Sequence, residues 1–255
     1  MTNDNFLICW STSTLLDCLQ PLNLVMTLPR KWFDFPRVPE LEAMENCDEA
    51  EAYSSATVQT HLDCLDDTFV DHVLSLGVHS GLALDVGTGP GQIPIKLARK
   101  LPRLQIVGVD LSQAMLAKAR ASAIAAGVDK QVTFQVGDAC RLPFADAHFE
   151  LVMCNSLLHH AADPLTTLNE LARVCRPQRA LLLRDLRRPS TPALPFHIAW
   201  YGRHYNGLMK KLFTDSVRAA YTVAELQALL AKSKIVGGRV FRRGRSHMGI
   251  ERRGG

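Results

Sequence analysis

An apolar run, Leu82-Ala83-Leu84, is followed by Asp85-Val86-Gly87-Thr88-Gly89-Pro90-Gly91-Gln92 and then by a helical pattern from Ile93 to Leu101. That order is strand, glycine turn, helix. Glycines at 87, 89 and 91 permit backbone conformations closed to other residues and let a ligand approach the main chain. The helix behind them offers free N–H groups and a positive dipole end. The spacing is G-x-G-x-G, not the G-x-G-x-x-G of dinucleotide binders, and Asp85 stands two positions before the first glycine. A carboxylate there repels a diphosphate and attracts an ammonium group. The turn therefore suits the ribose end of a nucleotide-like cofactor.

The residues that follow narrow the cofactor further. Gln105 to Asp110 reads as a second strand ending in an acid that can accept both hydroxyls of a ribose. Leu111-Ser112-Gln113-Ala114-Met115 opens a helix with Ser112 as N-cap, and Leu111 and Met115 can sandwich a flat purine. A third strand, Val132 to Val136, leads into Gly137-Asp138-Ala139, where Asp138 can accept an exocyclic amine. Together these describe a cationic, adenine-bearing cofactor without phosphate. Strands near 82–87, 104–110, 131–136, 149–155 and 179–186 alternate with helices near 91–101, 112–126 and 164–175. This predicts an α/β fold with a parallel sheet covered on both faces. Right-handed crossovers then bring Asp85, Asp110, Asp138 and Asn155 to one rim, at the carboxyl ends of the strands.

The strings LALDVGTGPGQ, VGVDLSQAM, VGDA and FELVMCNSLLHH, in that order between Phe69 and Leu186, resemble class I S-adenosylmethionine-dependent methyltransferases, in particular the small-molecule type similar to ubiquinone/menaquinone biosynthesis enzymes. The resemblance implies a Rossmann-like, seven-stranded, mostly parallel sheet with helices on both faces. It also implies an N-terminal helical extension, a helical lid inserted after the fifth strand over 187–220, and a final antiparallel hairpin near 235–242 and 247–252, with Gly237-Gly238 marking a bulge in its first strand. The implied cofactor is S-adenosyl-L-methionine. Its expected contacts are Asp85, Gly87, Thr88, Gly89, Gly91, Asp110, Leu111, Met115, Asp138, Ala139 and Asn155, joined by Tyr53 from the helical extension and His160 from the pair after the fourth strand. His160, Asp185 and Tyr205 are the expected catalytic side chains. His160 can equally shape the site without moving a proton, and Asp185 can equally pair with Arg184, Arg187 or Arg188. Arg176-Pro177-Gln178-Arg179 departs from the Pro-Gly-Gly turn common in such enzymes, so this loop needs another conformation.

The remaining features bound the function. Residues 1–40 read as an arm, partly disordered, with three prolines and interleaved aromatics in PRKWFDFPRVPE; residues 41–255 read as a single methyltransferase domain. Helices are expected from Glu42 to Leu76 with a break near Cys64. No stretch resembles a basic-start secretory signal or a membrane span. Seven cysteines without C-x-x-C or zinc spacing suggest reduced thiols in a cytoplasmic protein. The net charge of +4 does not call for a nucleic-acid partner. The stretch Asn155-Ser156-Leu157-Leu158 lacks the motif of amino-methylating DNA enzymes, and no acidic cluster marks a metal-dependent acceptor site. A metal-free methyl transfer to a small molecule, by a monomer or homodimer, is the leading expectation. An RNA or protein methyltransferase using the C-terminal arginines, and a cofactor-binding protein without transferase activity, stay open beside it.

Overall fold

A computed structural model describes residues 36–39, 56–189 and 191–255, all within one compact unit, Phe35–Gly255. Tyr53 and most of the N-terminal arm lie outside the described residues.

The elements run α1 (Ala56–Ser75), β1 (Ser80–Val86), α2 (Gln92–Lys100), β2 (Arg103–Asp110), α3 (Gln113–Ala125), β3 (Val132–Val136), β4 (Phe149–Asn155), α4 (Pro164–Val174), β5 (Cys175–Leu186), α5 (Leu194–Tyr201), α6 (Gly207–Ala219), α7 (Val223–Lys232), β6 (Arg239–Arg243) and β7 (His247–Arg252). The seven strands form one sheet in the order β3-β2-β1-β4-β5-β7-β6. β1 to β5 pair in parallel, and β7 is antiparallel to both β5 and β6. The Rossmann-like, mostly parallel architecture expected from the sequence is the one observed.

Successive strand residues face opposite sides, and the core divides accordingly. Ala83, Ile106, Leu151, Met153 and Leu182 pack with Phe69 of α1 and with residues of α2 and α3. Leu84, Val152, Cys154, Leu181 and Leu183 pack on the other side with Leu168 and Leu171 of α4 and Leu226 of α7. Both faces are covered, as parallel sheets require.

The local signals differ in how well they mark boundaries. Ser112 caps α3, its hydroxyl accepting the Met115 amide at 3.3 Å. Thr222 and Glu225 form the capping box of α7. The break expected near Cys64 does not exist: α1 runs through it unbroken, because Leu62, Leu65, Phe69 and Val73 keep one helical stripe turned inward, Leu62 against the Tyr205 cluster and Phe69 and Val73 in the core. Gly237 and Gly238 precede β6 rather than bulging it; Gly237, at φ 75°, turns the chain into the hairpin. β5 begins at Cys175, not near 179. Its register against β4 jumps between Phe149 and Leu151, so residues 176–179 bulge outward. In place of the missing glycines, Gln178 takes the left-handed conformation, at φ 59°.

Candidate cofactor and acceptor site

The carboxyl ends of β1, β2 and β4 open into a cavity of about 990 Å³, the upper end of the size usual for small-molecule sites. The Gly87–Gly91 turn forms one wall. Its geometry is set by β2, since the amides of Gly87 and Thr88 both donate to the Val109 carbonyl, at 2.8 and 3.0 Å. Gly89, at φ 54°, faces open space: a Cβ built there meets no heavy atom within 4 Å. Gly91 has a different task. At φ 80°, its missing Cβ would meet Ala119 Cβ and the Phe134 ring at 2.9 Å. It lets α2 pack closely and does not line the cavity.

Asp110 ends β2 at the centre of the site. Its Oδ2 accepts the Gly89 amide at 2.8 Å and its Oδ1 accepts the Ser112 amide at 2.9 Å. Two backbone donors thus fix the carboxylate, and each oxygen keeps a further lone pair for a ligand. Leu111, 59% exposed, and Met115 flank the cavity at this point. Asp138 and Ala139 lie across from them, with Asp138 Oδ1 held by the Cys140 amide at 2.8 Å. Asn155 joins them at the end of β4, its Oδ1 fixed by Arg184 Nε at 2.9 Å. The carboxylates and the amide expected at one rim therefore meet, except that Asp85 sits beneath the glycine turn and does not line the cavity. It is 1% exposed, its Oδ2 has no hydrogen-bond partner, and burial pushes its carboxyl up to about 7.

Three features of the site escaped the sequence. Asp66 of α1 lines the cavity, and burial raises its carboxyl to about 6 against the pull of Lys96 and Arg184. Its signal was an acid on the buried stripe of an amphipathic helix, between Leu62 and Phe69. Arg184, lowered to about 10 by burial, spans from Asn155 to α1, donating to Thr68 Oγ1 at 2.7 Å and to the Leu65 carbonyl at 3.0 Å. The third concerns the histidine pair. Asp185 pairs with none of the neighbouring arginines. Its Oδ1 lies 2.5 Å from His159 Nδ1 and its Oδ2 accepts the His159 amide at 2.9 Å, with both side chains 2% exposed. Burial alone would raise the Asp185 carboxyl, but His159 and these hydrogen bonds hold it below the usual range. His159, not His160, thus carries the carboxylate partner. With Nδ1 so engaged, Nε2 is the ring nitrogen left for the cavity that His159 lines. His160 also lines the cavity, its ring tilted 39° against that of His159 with centroids 3.9 Å apart, and burial lowers it to about 3, so it is neutral near pH 7.

The segment after β5 forms the expected helical cover. Tyr201, Tyr205, Met209, Phe213 and Ser216 from α5, α6 and their connection line the cavity. Tyr205 is 5% exposed, and burial pushes its phenol up to about 12. Cys154 is fully buried within β4, and burial pushes its thiol well up.

A doubly covered parallel sheet with one antiparallel strand next to its edge, and a glycine turn facing a carboxylate at its rim, is the architecture of class I S-adenosylmethionine-dependent methyltransferases. Residues 83–178 match the family described as a methyltransferase domain. The ubiquinone/menaquinone biosynthesis C-methyltransferase of Desulfotalea psychrophila is 33% identical over 143 residues, 56% of this chain and 56% of that protein. The 27-O-demethylrifamycin SV methyltransferase of Amycolatopsis mediterranei is 34% identical over 110 residues, 43% of this chain and 40% of that protein. The chain spans about half the length of these curated relatives. A solved structure described as a putative S-adenosyl-L-methionine-dependent methyltransferase from Methanococcus maripaludis shares the fold, with a TM-score of 0.61 at 14% identity, covering 86% of this chain and 98% of that one. Residues 83–178 thus match a methyltransferase domain, and the chain is similar to S-adenosylmethionine-dependent methyltransferases of the ubiquinone/menaquinone biosynthesis type. No helix among the described residues is long and apolar enough to cross a membrane.

Proposed function

We propose that this protein methylates a small molecule at an atom that must give up a proton, a hydroxyl being the simplest case. The observation that carries this reading is the His159–Asp185 pair, which shares one cavity with Asp110. Bound S-adenosylmethionine supplies a methyl group already activated by its sulfonium, for direct displacement without a metal.

The residues at the rim fit that cofactor. Asp110 has lone pairs for the ribose hydroxyls, Leu111 and Met115 flank a slot for the purine, and Asp138 and Ala139 face its amine edge. The open space at Gly89 admits the ribose, and Gly87 and Thr88 bring main chain beside it. Asp66 at the wall and Asn155 at the end of β4 give the cavity a negative and hydrogen-bonding character that suits an ammonium group.

At the acceptor end, Asp185 fixes the ring orientation of His159, holds the proton on Nδ1 and stabilises the imidazolium that forms when Nε2 takes the acceptor's proton. Neutral His160 and the walls of Tyr205, Met209 and Phe213 exclude water. The stretch Asn155-Ser156-Leu157-Leu158, which lacks the motif of amino-methylating DNA enzymes, together with this covered cavity, favours a metabolite over a polymer.

A screen of metabolites with methyl-labelled S-adenosylmethionine tests the reading. A labelled product is expected, and His159→Gln should lower its kcat by about 10²–10⁴-fold, the usual contribution of a general base. Turnover unaffected by His159→Gln would remove the base. Cofactor binding without methyl transfer to any acceptor would favour the non-transferase alternative.

A further inference from the structure

We propose that Arg37, on the short described segment ahead of the domain, is a positioning residue that holds His159 in register with the helical cover. The proposal rests on the His159–Asp185 reading above. His159 occupies the turn after β4 and is gripped at three atoms. Asp185 takes its amide and its Nδ1, and Arg37 Nη2 donates to its carbonyl at 2.9 Å. The same guanidinium donates through Nε to the Ala219 carbonyl at 2.5 Å and lies 4.3 Å from the centre of the Tyr221 ring. The neighbouring Val38 amide donates to the Arg218 carbonyl at 3.2 Å.

These carbonyls belong to the last turn of α6, whose final C=O groups have no partner within the helix. A cation there also complements the helix dipole. Arg37 therefore bridges two backbone groups 60 positions apart in the chain, His159 and Ala219. One belongs to the residue that would act as base; the other ends the helix whose Met209, Phe213 and Ser216 line the same cavity. The planar guanidinium suits this bridge, because its fork presents separate N–H groups in a fixed geometry. A lysine ammonium is a single point charge that cannot span both carbonyls in the same way. Without the bridge, the turn keeps Asp185 but loses its tie to α6, so the ring of His159 is free to shift against the acceptor walls.

The test uses the full chain labelled with 15N-histidine and saturated with S-adenosylhomocysteine. The Nδ1 proton of His159, identified by its disappearance in His159→Gln, is followed by NMR together with its exchange with water. In the wild type the signal should be downfield and slow to exchange. Arg37→Ala should broaden it or speed its exchange about tenfold, the equivalent of one hydrogen bond to a charged group, while binding of S-adenosylhomocysteine persists. Arg37→Lys, which keeps the charge and is the decisive variant if Arg37→Ala fails to fold, should show the same effect in part. A signal in both variants matching the wild type overturns the positioning role. Absence of the signal in the wild type instead overturns the His159–Asp185 reading, so the two failures are told apart.

Discussion

At the scale of single residues, the site depends on groups whose burial and backbone angle work against ordinary behaviour. Asp85 is the clearest. Its carboxyl is raised to about 7 when folded from 3.8 when exposed. Between these values the folded chain keeps a proton that the unfolded chain has lost, so this group lowers stability as pH rises from about 4 through 7. Asp85→Asn cannot ionise. Its gain in Tm over the wild type, measured without cofactor, should therefore be larger at pH 8 than at pH 4; a gain independent of pH would contradict the raised carboxyl. The glycines of the turn separate in the same way. Gly89→Val should block the cofactor, and although open space receives the side chain, the left-handed backbone at φ 54° should cost about 1–2 kcal/mol of stability. Gly91→Ala should instead lower stability by about 1–3 kcal/mol through crowding against Ala119 and Phe134. All three glycines were legible as one motif, but which faced the ligand and which faced the core was not. That division depends on α3 and β3, which approach Gly91 only in the folded sheet.

At the scale of elements, local chemistry marked the starts of helices and left several other boundaries open. Ser112 caps α3 where the sequence placed it, and the Thr222–Glu225 pair caps α7 in the same local way, since a cap is a contact within one turn. Thr222→Ala should cost about 1 kcal/mol in denaturant unfolding, the usual value for a lost N-cap. The entry to β5 was harder to read. Four residues bulge there and Gln178 bears a left-handed angle that favours glycine. Gln178→Gly should therefore raise stability, by up to about 1–2 kcal/mol; a loss would show that the Gln178 side chain contributes more than its backbone strain costs. The pairing of Asp185 was open for a related reason. Three arginines adjoin or follow it in sequence, but strand alternation and the turn after β4 turn the carboxylate to His159. Arg188 goes instead to Glu225, at 2.6 Å.

At the scale of the whole molecule, the order of strands is what makes a site. Asp110, Asp138, Asn155 and His159 come from the ends of three separate strands, β2, β3 and β4, and parallel pairing with crossovers brings them to one rim of the sheet. This convergence was legible in the alternation of strand and helix, before any contact was known. What the pattern could not convey was depth. It placed Asp85 at the rim although the glycine turn folds over it, and it carried no sign that Arg37 would reach across to His159 and α6. The account stands on the claim that an adenosyl sulfonium compound binds across β1, β2 and β4 with Asp110 at its ribose. Calorimetric titration of S-adenosylmethionine into the wild type and Asp110→Ala tests it directly. The wild type should bind, and the variant should lose about 1.5–3 kcal/mol of affinity, as expected for hydrogen bonds to a charged group. Equal dissociation constants, or a wild type that does not bind, would contradict it.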